Sequence, residues 1–119
     1  MSDGVVADCI FCKIVAGEIP SDLVAENAQA IAVRDISPVA STHVLVIPRR
    51  HVVDATALGR EQAELLGEIF ALANEVATLE GVKESGFRIV ANVGDDAGNM
   101  VSHLHFHCIG GRRLAWPPG

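Results

Sequence analysis

Residues 103–108 alternate strictly between histidine and apolar side chains, in the order His-Leu-His-Phe-His-Cys, and an isoleucine follows. Successive side chains of a β-strand point to opposite faces, so this pattern places all three imidazoles on one face. We predict a strand over His103–Ile109 whose apolar face packs against a core. Two residues along a strand span about 6.6 Å, so neighbouring imidazoles can flank one phosphate-sized group.

This histidine face has two chemical interpretations, besides an exposed strand that uses histidine as its polar residue. His-x-His on a strand is a common metal chelate. A neutral imidazole near pH 7 is also a nucleophile, and its attack on phosphorus would give a phosphoryl-histidine that a neighbouring protonated ring stabilises. The sequence has no glycine-rich phosphate loop with a lysine and no evident acidic Mg²⁺ cluster, so phosphoryl chemistry would depend on histidine. The spacing alone does not separate the two chemistries.

The other segments predict an α+β fold, with a mostly antiparallel sheet of about five strands and one long helix packed on it. A short apolar stretch, Ile10–Val15, predicts a brief helix before Pro20. The predicted strands are Leu23–Glu26 and Ala30–Arg34, which form a hairpin, then His43–Ile47, Phe87–Ala91 and His103–Ile109.

The long helix is predicted over Gly59–Leu79 and ends at Gly81. Its apolar residues form two adjacent seams, which together make a face broader than one sheet can cover. The apolar surface that the sheet leaves uncovered is consistent with a helix-to-helix contact in a dimer, and equally with a helix embedded in a monomer. The seams are Leu65, Ile69, Leu72, Val76 and Leu79, and beside them Leu66, Phe70, Ala73 and Ala77.

Composition limits the class of protein. A length of 119 residues favours one domain, and a net charge of −6 argues against a general nucleic-acid binder, which needs a cationic face. No apolar run approaches the length of a membrane span and no leader opens the chain, so we expect a cytoplasmic location. Three cysteines are an odd number, which argues against a disulfide framework, and the C-x-x-C spacing of Cys9 and Cys12 is typical of a metal or redox element.

Three further features have ordinary structural interpretations when taken alone. His43, at the start of a buried strand, resembles a satisfied core histidine, and His51, after Arg49 and Arg50, resembles a solvated loop residue. The glycine-rich segment 92–99 resembles a connection between antiparallel strands, although Asn92 can donate to a phosphate oxygen.

Together these motifs resemble the histidine-triad (HIT) family, whose signature is His-φ-His-φ-His-φ-φ with φ apolar. The segment His103–Ile109 is similar to that signature. The resemblance extends to the Hint branch through Asp35-Ile36-Ser37-Pro38, Thr42-His43, Ile47-Pro48, Gly110-Gly111-Arg112 and Trp116-Pro117-Pro118-Gly119. It covers the chain from about Cys9 to Gly119.

The resemblance implies a homodimer that binds purine nucleoside monophosphates and hydrolyses nucleoside 5′-phosphoramidates, including AMP linked to an amine. It implies that His105 is the nucleophile, that His107 contacts the α-phosphate, and that His43 positions that phosphate or the leaving group. For the nucleotide it implies that Asp35 accepts the ribose hydroxyls, Ile36 lines the base pocket, Asn92 holds phosphate or ribose, and Trp116 contacts the leaving group near the partner's site.

Each nucleotide role has an alternative in the residue alone. Asp35 could cap the turn before Ser37, Ile36 could be core, and Trp116 could lie on a mobile tail. One position departs from the family: many Hint proteins carry Gly-Gln-Ser before the triad, where this chain has Gly98-Asn99-Met100. Methionine offers no strong donor to the departing atom, and the loss of one such contact costs on the order of 10²-fold in rate.

The resemblance also implies a structural zinc. Several HIT relatives bind zinc through ligands that match Cys9, Cys12, His51 and His103 here, and a closed Cys₂His₂ site would brace the N-terminal arm rather than activate water. Two reduced thiols packed near a loop histidine are the alternative, since other Hint proteins lack zinc. No cofactor is expected to be required for catalysis.

Three functional hypotheses follow. The first is a phosphoramidate hydrolase acting through nucleotidyl-His105. The second is a dinucleoside polyphosphate hydrolase, and the third is a nucleotide-binding regulatory module with little turnover, which Met100 favours. In each case a single HIT domain is expected over residues 1–119, with a flexible arm at 1–8 and a C-terminal tail at 110–119.

Overall fold

The computed structural model describes residues 8–119, so the predicted arm at 1–8 lies outside the described residues except for Asp8. Five strands form one sheet in the order β1-β2-β3-β5-β4, and every neighbouring pair is antiparallel. The α+β prediction is confirmed. The elements are α1 (Ile10–Val15), β1 (Leu23–Glu26), β2 (Ala30–Arg34), β3 (Thr42–Pro48), α2 (Ala63–Leu79), β4 (Phe87–Val90) and β5 (Phe106–Gly110).

Helix α2 is shorter at its start than predicted. A 3₁₀ turn over Arg60–Gln62 precedes it, and the α-helix begins at Ala63. At the other end Gly81 has φ +74°, and its N–H donates to Thr78 O while the N–H of Val82 donates to Ala77 O. These two bonds form a Schellman cap, so the predicted stop at Gly81 is confirmed.

The two faces of the sheet bury separate apolar clusters. Helix α2 packs on one face, against Ala30, Ala32, Val44, Val46, Phe106 and Cys108. On the opposite face the short helix α1 packs near Ile31, Val33, Leu45 and Ile47. Strands β2 and β3 read as continuous apolar runs because both of their faces are covered.

The second apolar seam of α2 is partly covered within the chain. Ala73 and Ala77 are buried, whereas Phe70 is 38% exposed. A dimer contact on this face stays a prediction. In the part of the chain that the structure describes, no helix is both long enough and apolar enough to cross a membrane.

The predicted strand over His103–Ile109 is wrong in its first three residues. Strand β5 begins at Phe106, opposite Val46, and runs to Gly110. Strand β3 ends at Pro48, which has no N–H to donate, so the ladder does not continue to His103. Instead, Leu104 N donates to Val52 O at 2.6 Å, and the chain turns away from the sheet. The apolar partners in this segment are buried, as the alternation predicts.

Candidate active site and metal centre

The imidazoles of His105 and His107 line a cavity of about 550 Å³ on the α1 face of the sheet. Strand β5 places His107 opposite Leu45, and His105 immediately precedes the strand, so their ring centroids lie 5.1 Å apart. We call this space the histidine cavity. Its wall is mainly apolar and includes Ile10, Phe11, Ile14, Val33, Ile36, Leu45 and Val101, with Asp35 among the polar residues. The volume is in the usual range for a small-molecule site.

The hydrogen bond of His105 fixes which ring nitrogen carries the proton. Its Nδ1 lies 2.8 Å from the carbonyl oxygen of His103. A carbonyl can only accept, so Nδ1 is the protonated nitrogen and donates. The Nε2 atom of His105 therefore keeps its lone pair, as a nucleophile or base requires.

A chain of hydrogen bonds orients His107 in the same way. The backbone N–H of Val39 donates to Nδ1 of His43 at 3.1 Å, so the proton of a neutral His43 is on Nε2. That Nε2–H donates to Nδ1 of His107 at 2.9 Å and lies 3.3 Å from Oδ2 of Asp35. The proton of a neutral His107 is therefore on Nε2, as a donor for an anionic oxygen.

Burial favours the neutral form of His107. Desolvation of its ring, together with the nearby His105 and His43, lowers the pKa of His107 from its usual 6.5 to about 4, and the carboxylate of Asp35 opposes this shift. At neutral pH the free site thus presents an uncharged imidazole with one donor.

Asp35, His43 and His107 also lie close enough to suggest a metal site, since their ligand atoms are within 4.8 Å of one another. The proton positions argue against it. With Nδ1 accepting from Val39, a metal on Nε2 would require His43 to be an imidazolate. These three residues form a hydrogen-bonded relay instead.

The predicted catalytic and nucleotide residues are only partly brought together. His105, His107, Asp35 and Ile36 line the histidine cavity, while His43 is buried behind His107. Ile36 is 98% exposed, so its interpretation as core is wrong.

Asp35 does cap its turn. Its Oδ1 accepts from Ser37 N at 2.8 Å, and lone pairs on both oxygens stay available.

Four other predicted nucleotide contacts lie outside the histidine cavity as the described residues define it. Met100 is 94% exposed and lines an adjacent cavity of about 390 Å³, which shares Ile10 and Val101 with the first. Trp116 is 82% exposed, and the carbonyl oxygen of the preceding Ala115 accepts from Arg88. Asn92 and Asn99 are half-buried in the loop before β5.

The side chains of Cys9, Cys12, His51 and His103 converge into one cluster, which we call the Cys–His cluster. Its four ligand atoms lie within 4.8 Å of one another. The Sγ to Nδ1 distances are 3.2 Å from Cys9 to His103, 3.3 Å from Cys12 to His51 and 3.5 Å from Cys12 to His103. The sulfur–nitrogen edge of a tetrahedral zinc site is about 3.6 Å from standard bond lengths. The donor set therefore could bind a metal ion of this kind.

A hydrogen bond at Nε2 leaves Nδ1 of His103 available as a metal ligand. The Nε2–H donates to the carbonyl oxygen of Pro48 at 2.9 Å, which leaves Nδ1 unprotonated toward the sulfur atoms. The ring is fully buried, and desolvation lowers its pKa. The N–H of Cys12 also donates to Sγ of Cys9 at 3.2 Å, as suits a thiolate acceptor.

Sequence reasoning missed the contribution of α1 to the histidine cavity. Ile10, Phe11 and Ile14 line it, and the Phe11 ring contacts the His105 ring edge-on with centroids 4.9 Å apart. An apolar helix of six residues carries no chemical signature, and only the C-x-x-C motif around it was informative.

Comparisons with known proteins agree on one family. The family described as HIT domain matches residues 16–114. An uncharacterized HIT-like protein of Synechococcus elongatus is 44% identical over 112 residues, which are 94% of this chain and 97% of that protein.

Solved structures share the fold. The crystal structure of a HIT family hydrolase from Legionella pneumophila superposes with a TM-score of 0.91 at 44% identity, covering 94% of this chain and 100% of that one. A histidine triad nucleotide-binding protein from Candida albicans gives a TM-score of 0.79 at 31% identity, covering 92% of this chain and 83% of that one.

Proposed function

Because the chain belongs to the HIT domain family, we propose that it is a purine nucleotide phosphoramidase of the Hint branch. In this proposal it hydrolyses nucleoside 5′-phosphoramidates at the α-phosphate through a nucleotidyl-His105 intermediate. The hydrolase from Legionella pneumophila and the nucleotide-binding protein from Candida albicans support hydrolysis and nucleotide binding respectively. The bond between phosphorus and nitrogen is the specific part of the proposal.

The observation that carries the proposal is the free Nε2 of His105. Its Nδ1–H is occupied by the His103 carbonyl, and the ring lines a cavity of nucleotide size beside a second imidazole. An unprotonated imidazole nitrogen held in a fixed orientation is an effective nucleophile toward phosphorus.

The reaction consists of two displacements at phosphorus. The lone pair of His105 Nε2 forms a bond to the α-phosphorus while the phosphorus–nitrogen bond of the substrate breaks, and the departing nitrogen takes a proton from solvent and leaves as the amine. Water then attacks the nucleotidyl-histidine, which releases the nucleoside monophosphate and regenerates the imidazole. The Nε2–H of His107 donates to a phosphoryl oxygen and stabilises the charge that develops there.

The histidine cavity supplies matched surfaces for a nucleoside. Two or more acceptor sites of the Asp35 carboxylate suit the two ribose hydroxyls, and the apolar side chains of α1 and Ile36 suit a purine ring. In this assignment His43 acts through His107, to which it donates at 2.9 Å.

Asn92, Asn99 and Met100 belong in this proposal to the loop that approaches the phosphate and the leaving group. Trp116 would reach the leaving group in the site of a partner subunit within a homodimer. The partly exposed Phe70 on α2 supports a dimer contact.

We further propose that zinc occupies the Cys–His cluster. Two thiolates and two imidazoles form a donor set that fits zinc. Bound zinc would brace the surrounding chain and would not contact the substrate, because no ligand position stays open. Cys9, Cys12 and Cys108 are not joined by a disulfide among the described residues, and we place the protein in the reducing cytoplasm as part of this proposal. The single domain over residues 1–119 belongs to the same proposal.

One observation favours a second candidate, a nucleotide-binding module with little turnover. Met100 is almost fully exposed and provides no strong hydrogen-bond donor for the departing atom. Such a protein would bind AMP and release amine slowly.

The decisive experiment measures amine release from an adenosine 5′-phosphoramidate at near-neutral pH. We expect turnover by the wild type and none by His105→Ala, with AMP binding and the folded state retained in both. A folded wild type that binds AMP and releases no amine would favour the binding module instead.

A further inference from the structure

Two contacts hold the His105 ring in place. On one side its Nδ1–H donates to the His103 carbonyl oxygen at 2.8 Å. On the other, the Phe11 ring meets it edge-on, with centroids 4.9 Å apart and an interplanar angle of 74°. The first contact fixes the tautomer and the second restricts rotation of the ring, so together they aim Nε2 into the histidine cavity.

Both contacts come from residues that belong to the Cys–His cluster or lie between its ligands. His103 supplies its Nδ1 to the cluster and its carbonyl oxygen to His105. Phe11 lies between Cys9 and Cys12 in sequence and is buried. Its ring also packs edge-on against the His103 ring, with the two ring centroids 6.0 Å apart. His105 is therefore hydrogen-bonded directly to one cluster ligand, His103, and is linked to a second, Cys12, through its sequence neighbour Phe11.

We propose that His103 and Phe11 are positioning residues for His105, and that a metal ion bound in the Cys–His cluster keeps them in place. This inference rests on the proposed role of His105 as nucleophile. Bound metal constrains the His103 ring and the α1 segment directly, and it constrains the His105 ring through them. The cluster is then part of the catalytic apparatus without touching the substrate.

The alternative is a brace that acts on stability alone. In that case loss of metal lowers the melting temperature, while the molecules that stay folded react at the normal rate. The positioning role instead predicts a slower chemical step in fully folded protein, because small misplacements of a nucleophile cost up to about 10²-fold in rate. Binding of the ribose at Asp35 is affected less, since that residue is held by the β2–β3 connection.

Two thiols of equal burial provide a matched pair of variants. Cys12 and Cys108 are each 1% exposed, but Cys12 belongs to the Cys–His cluster while Cys108 packs on the α2 face of the sheet. Cys12→Ser removes a ligand, and Cys108→Ser makes the same substitution away from the cluster. His51→Asn, at a half-buried ligand that does not line the histidine cavity, serves if Cys12→Ser fails to fold.

The test compares zinc-loaded, chelator-stripped and zinc-restored full-length protein, each shown to be folded by circular dichroism. One readout is the ¹H–¹⁵N signal of the His105 Nδ1–H, which reports tautomer and protection from exchange. The other is the single-turnover rate of nucleotidyl-His105 formation, followed by mass spectrometry with an adenosine 5′-phosphoramidate. AMP affinity is measured in parallel.

We expect stripping, Cys12→Ser and His51→Asn to weaken or abolish the Nδ1–H signal and to slow adduct formation by 10-fold or more. Zinc chloride restores the stripped wild type, and Cys108→Ser behaves as wild type. Folded, metal-free protein that keeps both the signal and the rate would overturn the inference. If no adduct forms even in the zinc-loaded protein, the proposed function fails, while the Nδ1–H signal still decides whether the cluster orders His105.

Discussion

The neutral state of half-buried His107 predicts a specific pH dependence of stability. Folding lowers the pKa of this imidazole from 6.5 to about 4, mainly by desolvation, with His105 and His43 adding to the shift and Asp35 opposing it. The unfolded chain therefore binds a proton between these two pH values that the folded chain excludes. Stability from this residue is fully present above pH 6.5 and is lost as the pH falls toward 4.

The magnitude follows from the size of the shift. Each pKa unit corresponds to about 1.4 kcal/mol, so the full shift is worth about 3 kcal/mol. The ring is half-buried and partly screened by water, so we expect a loss of about 2 kcal/mol in the free energy of unfolding between pH 7.5 and 4.5.

The assay is urea unfolding at a series of pH values for wild type and His107→Asn, both stripped of metal. The Asn amide oxygen can still accept from the His43 Nε2–H but does not titrate, so the difference in stability between the two proteins isolates the imidazole. That difference should shift by about 2 kcal/mol in favour of the variant on acidification. Parallel curves for wild type and His107→Asn would refute the reasoning, and His107→Gln should repeat the variant's behaviour.

Three further predictions concern other parts of the molecule. Asp35→Asn should weaken AMP binding by about 10-fold or more in calorimetry, because hydrogen bonds to a charged acceptor are lost, and should leave binding of 2′,3′-dideoxy-AMP nearly unchanged. Met100→Ser should raise the rate of amine release if the missing donor limits turnover, and an unchanged kcat would exclude that explanation. Gly111→Ala should lower the melting temperature and cost at least about 1–3 kcal/mol, because Gly111 has φ +94° and a Cβ there would overlap Ser41 Oγ, whereas the exposed Gly119→Ala should have no effect.

The sequence was sufficient for the element order because the signals are local. Runs of apolar residues located β2 and β3. The end of α2 was predicted at Gly81 because glycine tolerates the left-handed conformation, which Gly81 adopts in the structure. The start of β5 was misplaced for a non-local reason. Whether residues 103–105 remain in the sheet depends on Pro48 at the end of the neighbouring strand, and a two-residue periodicity carries no information about that partner.

The sequence predicts which residue types form the site, but it does not predict which ring nitrogen of each histidine carries the proton. The spacing of the histidines left metal binding and nucleophilic attack open at the same strand. The hydrogen bonds separate the two chemistries. The His103 Nε2–H donates to the Pro48 carbonyl oxygen, so its Nδ1 is available to a metal ion. The His105 Nδ1–H donates to the His103 carbonyl oxygen, so its Nε2 is available for nucleophilic attack. Each assignment requires a carbonyl acceptor whose location depends on the folded backbone.

The unequal covering of the two sheet faces explains why site and cluster occur together. Helix α2, with 17 residues, packs along one face of the sheet, whereas α1, with six, covers only part of the other. The uncovered part is the histidine cavity, and its wall includes Val33 and Leu45 of the sheet itself. A helix of six residues contributes too little buried surface to hold its own position. Coordination of a metal ion by Cys9 and Cys12 would hold α1 in place and leave the histidine cavity open. A longer helix in the position of α1 would instead close that cavity.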